Sequence, residues 1–142
     1  MSRHPEILRI VAALLVDADG RALLVRKAGT VRFMQPGGKP EPGESAAEAL
    51  SRELEEELGL FVAPHELRYV GRFSANAANE ANTVLDAEVF DAPVVSQLVA
   101  SASEIEELLW VDPAAPGAVE LAPLSSELLL PLLAQRARTV QS

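Results

Sequence analysis

The sequence predicts an α/β (α+β) domain, a mixed β-sheet with helices packed against it and one loop–helix–loop segment of unusual charge. Three observations predict it. Apolar runs of β type recur along the chain, a strongly capped amphipathic segment interrupts them at residues 45–59, and a second apolar segment of helical character closes the chain. With 142 residues the chain fits one domain, 1–142, large enough to bury a core.

The elements follow in order. "ILRIVAALLVDADGRALLVRK" holds two apolar runs around Asp17-Ala18-Asp19-Gly20, a hairpin signal through its Asp-Gly step. "AGTVRFMQPGGKPEPGE" reads as a Gly- and Pro-rich loop with room for one short strand near Phe33 to Gln35. Ser45 and Glu48 form a capping box, so a helix should begin at about Ala46, and Gly59 should close it. "ELRYVGRFSA" and "NTVLDAEVFDA" read as strands joined by a polar loop at residues 76–82, and "IEELLWVDP" as a strand ending before Pro113. "PLSSELLLPLLAQRAR" predicts a closing helix that Pro131 should kink or interrupt, with a loose tail from about residue 137 to residue 142.

Composition excludes several kinds of chemistry. The absence of cysteine removes disulfides, thiolate nucleophiles and Cys-based zinc sites. A net charge of −9 argues against a broad basic surface for nucleic acid, though a cation or local Arg/Lys cluster can still receive a small anion. No apolar run reaches the roughly 20 residues that span a bilayer, and the first residues do not read as a signal peptide. The expectation is a cytoplasmic protein without a nucleic-acid or membrane partner; a homodimer stays open.

The capped helix carries Glu53, Glu55, Glu56 and Glu57. Like charges three or four residues apart on a helix repel by roughly 0.2–0.5 kcal/mol per pair, so the crowding asks for a compensating cation or is a solvated face. At about 100° per residue, Ala47, Leu50, Leu54 and Leu58 form the core stripe. Glu53, Glu56 and Glu57 lie together along its edge and Glu55 on the far side. Such a trio suits a hard divalent cation, Mg²⁺ or Mn²⁺, which prefers oxygen ligands and bridges carboxylates to phosphates.

The stretch from Gly38 to Leu60 reads Gly38, five residues, Glu44, seven residues, Arg52-Glu53-Leu54, one residue, Glu56-Glu57, one residue, Gly59-Leu60. It resembles the Nudix box, G-x5-E-x7-R-E-U-x-E-E-x-G-U with U aliphatic, at all nine defined positions. The resemblance implies a Nudix-type α/β/α sandwich that hydrolyses a nucleoside diphosphate linked to another group, using Mg²⁺ or Mn²⁺. It implies Glu53, Glu56 and Glu57 as metal ligands, the Gly38 carbonyl as a further one, and Arg52 and Glu44 as the ion pair that supports the carboxylates.

Outside the box the residues leave alternatives. The catalytic base is Glu53 or an acid from a later loop, Glu104 or Glu80; Glu104, six residues before Trp110, also resembles an extra metal-binding acid of the MutT-like branch. Arg26, Lys27 and Lys39 are candidate phosphate ligands, each with a plain surface role as its alternative. Phe33 and Met34 are candidates for a base pocket or for core. Ala75 and residues 76–78 lack the proline and tyrosine that mark ADP-ribose and diadenosine polyphosphate relatives. By elimination a (deoxy)nucleoside triphosphate pyrophosphohydrolase of MutT type is expected. Hydrolysis of ADP-ribose, a nucleotide sugar or a dinucleoside polyphosphate, a non-catalytic nucleotide-binding regulator, and a purely structural cation site are the alternatives.

Overall fold

The computed structural model of the chain describes residues 4–93 and 104–141. Among the described residues, six strands and two helices follow in order: β1 (Glu6–Leu14), β2 (Ala22–Lys27), β3 (Gly37–Gly38), α1 (Ala46–Leu58), β4 (Arg68–Asn76), β5 (Thr83–Asp91), β6 (Ile105–Val111) and α2 (Leu130–Gln141). A single 3₁₀ turn at Pro64–Glu66 and a π-helical turn at Leu124–Leu129 complete the described elements.

The larger sheet has the order β3-β1-β5-β4 and is mixed. β1 runs parallel to β5 in an unbroken register from Glu6↔Thr83 to Leu14↔Asp91, while β3 and β4 are antiparallel to their neighbours. β2 and β6 form a separate antiparallel pair. This corrects the simple hairpin. The turn closes as the Asp-Gly step predicts, with Gly20 N–H donating to the Asp17 carbonyl at 3.0 Å and Leu23 N–H to the Leu15 carbonyl at 2.9 Å. The strands then part, because β3 and β5 occupy both edges of β1.

Period-2 alternation explains the layers. Val11, Ala13 and Leu15 from β1 and its end, with Leu23 and Val25 from β2, pack under Leu50, Leu54 and Leu58 of α1. Ala12, Leu14, Ala22 and Leu24 face the other way, onto Leu124, Leu129, Leu130 and Leu133. Central strands buried on both faces need a helix on each side, and the chain supplies α1 and the closing helix. The result is the expected α/β/α sandwich.

Three further expectations change in detail. The short strand expected near Phe33 to Gln35 is reduced to isolated bridges, Val25↔Met34 and Phe33↔Leu121, and the regular pairing moves past Pro36 to β3. Proline offers no N–H to a ladder, so the pairing resumes only after it. The interruption at Pro131 takes the form of the π-helical turn just before it, where Leu130 N–H donates to the Ser125 carbonyl five residues back. The tail expected to be loose from about residue 137 is helical to Gln141, and Ser142 lies outside the described residues. Among the described residues, no helix is long and apolar enough to cross a membrane.

Candidate active site

The site begins with α1, which is built as its sequence requires. Ser45 Oγ accepts from Glu48 N–H, the Glu48 carboxylate accepts from Ser45 N–H, and Gly59 ends the helix in the left-handed region at φ 64°. That fixes the rotation of the helix and therefore the direction of every carboxylate. Glu55 is exposed, as the helical wheel predicts.

The other three acids divide. Glu57 turns inward to 4% exposure, and its Oε1 accepts from Gly37 N–H at 3.1 Å. Glu53 lies against the next glycine: a Cβ built on Gly38 would stand 2.5 Å from the Glu53 carboxyl carbon. Gly37 has its own constraint, since a Cβ there would fall 2.0 Å from the Val11 carbonyl oxygen at φ 153°. The double glycine thus lets β3 wedge between β1 and the two carboxylates. Glu56, with its side chain 57% exposed, stays at the rim.

Arg52 ties this group together. Its Nε and Nη2 hold the Glu44 carboxylate in a forked pair at 2.7 and 3.0 Å, and Nη1 reaches Glu53 at 2.8 Å and Glu56 at 3.2 Å. Nη2 also donates to the Lys39 carbonyl at 3.1 Å, which fastens the loop after the double glycine to the helix. The guanidinium is consequently held protonated even more firmly than usual, first by Glu44. Glu44 is pulled below the ordinary carboxylate range by Arg52 and then by the Glu41 N–H. Forked pairing of this kind fixes geometry as well as charge.

Glu57 behaves in the opposite way. Burial pushes its pKa up to about 7, against the opposing pull of Lys27 and the Gly37 N–H, with Glu53 adding to the rise. Lys27 Nζ stands 3.5 Å from Glu57 Oε2, too far for a well-formed hydrogen bond, and that oxygen is buried without a hydrogen-bond partner among the described residues. A buried carboxylate oxygen in that state fits a hard cation. So does the donor set of Glu53, Glu57 and the Gly38 carbonyl, all oxygen. As the side chains stand, no three acidic or imidazole groups among the described residues are gathered closely enough to ligate one ion. Arg52 and Lys27 hold the acids instead.

These groups open onto a cleft of about 500 Å³. Glu53, Arg52, Gly37, Gly38 and Lys39 form one part of its wall with Lys27, while Leu8, Ile10, Met34, Leu85 and Leu124 form an apolar part. Glu80 and Glu104 also line it, so both later acids expected near the site are brought to the cleft. Arg26 is not: its guanidinium is engaged by Glu107 at 2.9 Å, Glu106 at 3.4 Å and the Thr30 carbonyl at 2.7 Å, which tie β2 to β6. A register shift in the β2–β6 pairing separates it from Lys27, the residue that reaches Glu57. Phe33 is core, whereas Met34 lines the cleft. Sequence reasoning missed Gln35 and Ser125, buried polar residues of the cleft wall. A polar residue just before Pro36 gave a faint signal for the first; Ser125 gave none.

The arrangement matches a known family. The chain matches the NUDIX domain over residues 7–133. The chain belongs to the Nudix family. Enzymes of this family are hydrolases acting on pyrophosphate bonds of nucleoside diphosphate derivatives, they generally use divalent metal ions, and this chain is such a hydrolase. It is 31% identical over 144 residues to the CTP pyrophosphohydrolase of Escherichia coli (strain K12), covering 93% of this chain and 96% of that protein. It is also 35% identical over 111 residues to an isopentenyl-diphosphate Delta-isomerase of Leifsonia xyli subsp. xyli, where it spans 71% of this Nudix chain and 60% of the isomerase. The crystal structure of a MutT protein from Methanosarcina mazei Go1 superposes with a TM-score of 0.77 at 23% identity, over 96% of this chain and 99% of that one, which supports the fold.

Proposed function

We propose that this Nudix hydrolase is a (deoxy)nucleoside triphosphate pyrophosphohydrolase of MutT type that acts on free nucleotides in the cytoplasm with Mg²⁺ or Mn²⁺. The observation that carries the reading is the folded box itself: Glu53 and Glu57 pressed against the Gly37–Gly38 pair at the wall of a cleft whose other part is apolar. The similarity to the CTP pyrophosphohydrolase along nearly its whole length supports the triphosphate class.

Glu53, Glu56, Glu57 and the Gly38 carbonyl would hold the metal. When bound it would neutralise phosphate charge and lower the pKa of an attacking water. The chain's own groups do the rest. Arg52, itself held by Glu44, fixes the Glu53 and Glu56 carboxylates, and Gly37 N–H holds Glu57. Lys27 and Lys39, both on the cleft wall, meet the phosphates as point charges. Glu53 accepts the proton of the attacking water, with Glu104 and Glu80 placed at the cleft to adjust metal occupancy. The apolar part of the wall receives the base.

A panel of nucleoside triphosphates, nucleotide sugars, ADP-ribose and dinucleoside polyphosphates, assayed with Mg²⁺, Mn²⁺ or excess chelator and with products identified, tests this. Nucleoside monophosphate and pyrophosphate from triphosphates, abolished by chelator, is expected. Turnover undiminished in chelator would refute the metal-dependent mechanism, and hydrolysis confined to sugar or ADP-ribose conjugates would refute the substrate class.

A further inference from the structure

Lysine accounts for only two of the 12 Lys and Arg residues, Lys27 and Lys39, and both line the cleft. Arginine grips a carboxylate through a rigid fork, whereas lysine carries a compact charge on a flexible stem and can change partners. Lys27 has a partner to change. Its Nζ stands 3.5 Å from Glu57 Oε2, in a side chain that is 34% exposed against 4% for Glu57. The strand pairing brings it there: Arg26 lies opposite Glu107 and Lys27 opposite Ile105, a register shift of the kind that re-aims side chains beside active sites.

Glu57 is the fixed member of the pair. Its Oε1 accepts from Gly37 N–H, and its Oε2 is buried without a hydrogen-bond partner among the described residues. Oε2 is therefore the Glu57 oxygen left for a divalent cation, and it is also the oxygen that Lys27 faces. Mg²⁺ binds a carboxylate oxygen at about 2.0–2.1 Å. With Nζ kept 3.5 Å from that oxygen, the two positive centres would lie within about 5.6 Å of each other. Beside a buried carboxylate such charges are poorly screened and repel strongly. Metal and ammonium compete for Glu57, and only the lysine has room to leave.

We propose that Lys27 is a built-in cation of the metal site: it holds the Glu57 oxygen, gives it up on metal binding, and turns its ammonium into the cleft toward substrate phosphate. This rests on the metal-dependent hydrolase reading above. The exchange imposes an order, metal before phosphate, because Lys27 is free for phosphate only once Glu57 has another cation. It also relieves a buried carboxylate that would otherwise stand without a counter-charge. The Lys39 ammonium makes no ion pair among the described residues, so it lines the same cleft without taking part in the exchange.

The test measures Mn²⁺ binding to the nucleotide-free protein by calorimetry at pH 8, for the parent, Lys27→Met and Lys39→Met. Removing the competitor should tighten binding about 10-fold in Lys27→Met, within the usual range for coupled sites, while Lys39→Met stays within about threefold. A lost charge alone also favours the metal, so the place of the ammonium is read directly. Protein labelled with ¹³C at lysine Cε gives one signal per lysine, and Lys39→Met suffices to assign them. Saturating Mg²⁺ should move the Lys27 signal toward its position in Glu57→Gln, whose uncharged amide no longer holds the ammonium, and should move Lys39 less. Inorganic phosphate should then move Lys27 again in the Mg²⁺-loaded parent and leave it in place without Mg²⁺. Unchanged or weaker Mn²⁺ binding in Lys27→Met would overturn the proposal, as would a Lys27 signal that Mg²⁺ leaves in place or that phosphate moves on its own. If the parent binds no divalent metal, the functional reading itself fails. If it binds metal with Lys27 unmoved, only the exchange fails.

Discussion

Replacing Glu57 by glutamine should stabilise the metal-free protein at alkaline pH while destroying its activity. Burial at 4% exposure pushes the carboxyl up to about 7, from an ordinary value near 4.5. The folded chain therefore binds this proton more tightly than the unfolded chain does. Between about pH 4.5 and pH 7 the unfolded state has lost the proton that the folded state retains, so stability falls as pH rises through that window. The shift corresponds to on the order of 3 kcal/mol, fully lost by about pH 8. Glutamine keeps the shape, cannot ionise and still accepts from Gly37 N–H, so the variant should lack this slope. Glu44 and Asp86, whose carboxyls are held low by arginines, lose their stabilisation only as pH falls below their ordinary range and do not mask the effect. Urea denaturation of both proteins in excess chelator at pH 5 and pH 8 measures it. At pH 5 the midpoints should nearly coincide; at pH 8 the variant should unfold at higher urea. Parallel pH profiles, or a variant weaker at pH 8, would refute the argument.

Other substitutions separate roles within the site. Glu55→Gln should leave kcat/KM within about twofold, because a solvated carboxylate on the far face touches neither cleft nor Arg52; a large loss in steady-state assays would contradict the helix rotation. Gly38→Ala and Gly37→Ala should fail differently in paired stability and activity measurements. The first displaces only the Glu53 carboxylate and should cost activity at a nearly normal Tm, whereas the second drives a methyl into the Val11 backbone and should unfold the protein. Glu53→Gln should lower kcat by roughly 10²–10⁴-fold at saturating Mn²⁺, the range for a positioned base, while Glu104→Gln should mainly raise the Mn²⁺ needed. The reverse pattern in those titrations would move the base to the later loop.

What the sequence made legible is what local rules determine. The capping box, the C-terminal glycine and the 3.6-residue period together fix the start, end and rotation of α1. The direction of Glu55 followed from them, and so did the edge position of Glu57. The pairing of Arg52 with Glu44 was legible through the family pattern, because nothing in local spacing says that residues 44 and 52 meet across a loop. What could not be read was set by partners distant in sequence. Arg26 looks like a phosphate ligand until β6 arrives with Glu106 and Glu107 to claim it. The hairpin strands look paired until β3 and β5 take the edges of β1.

Gln35 and Ser125 show the same limit more sharply, since they stand 90 residues apart and meet only because of a turn one residue wider than an α-helix. Helix periodicity assumes a constant register, and Pro131 breaks that assumption. Its ring would crowd the carbonyl of Glu127 in a regular helix, and it has no N–H to offer there. A widened turn just upstream accommodates both defects and swings Ser125 into the cleft wall. The feature that spoils the periodic pattern is thus the one that builds the hydrogen-bonded pair.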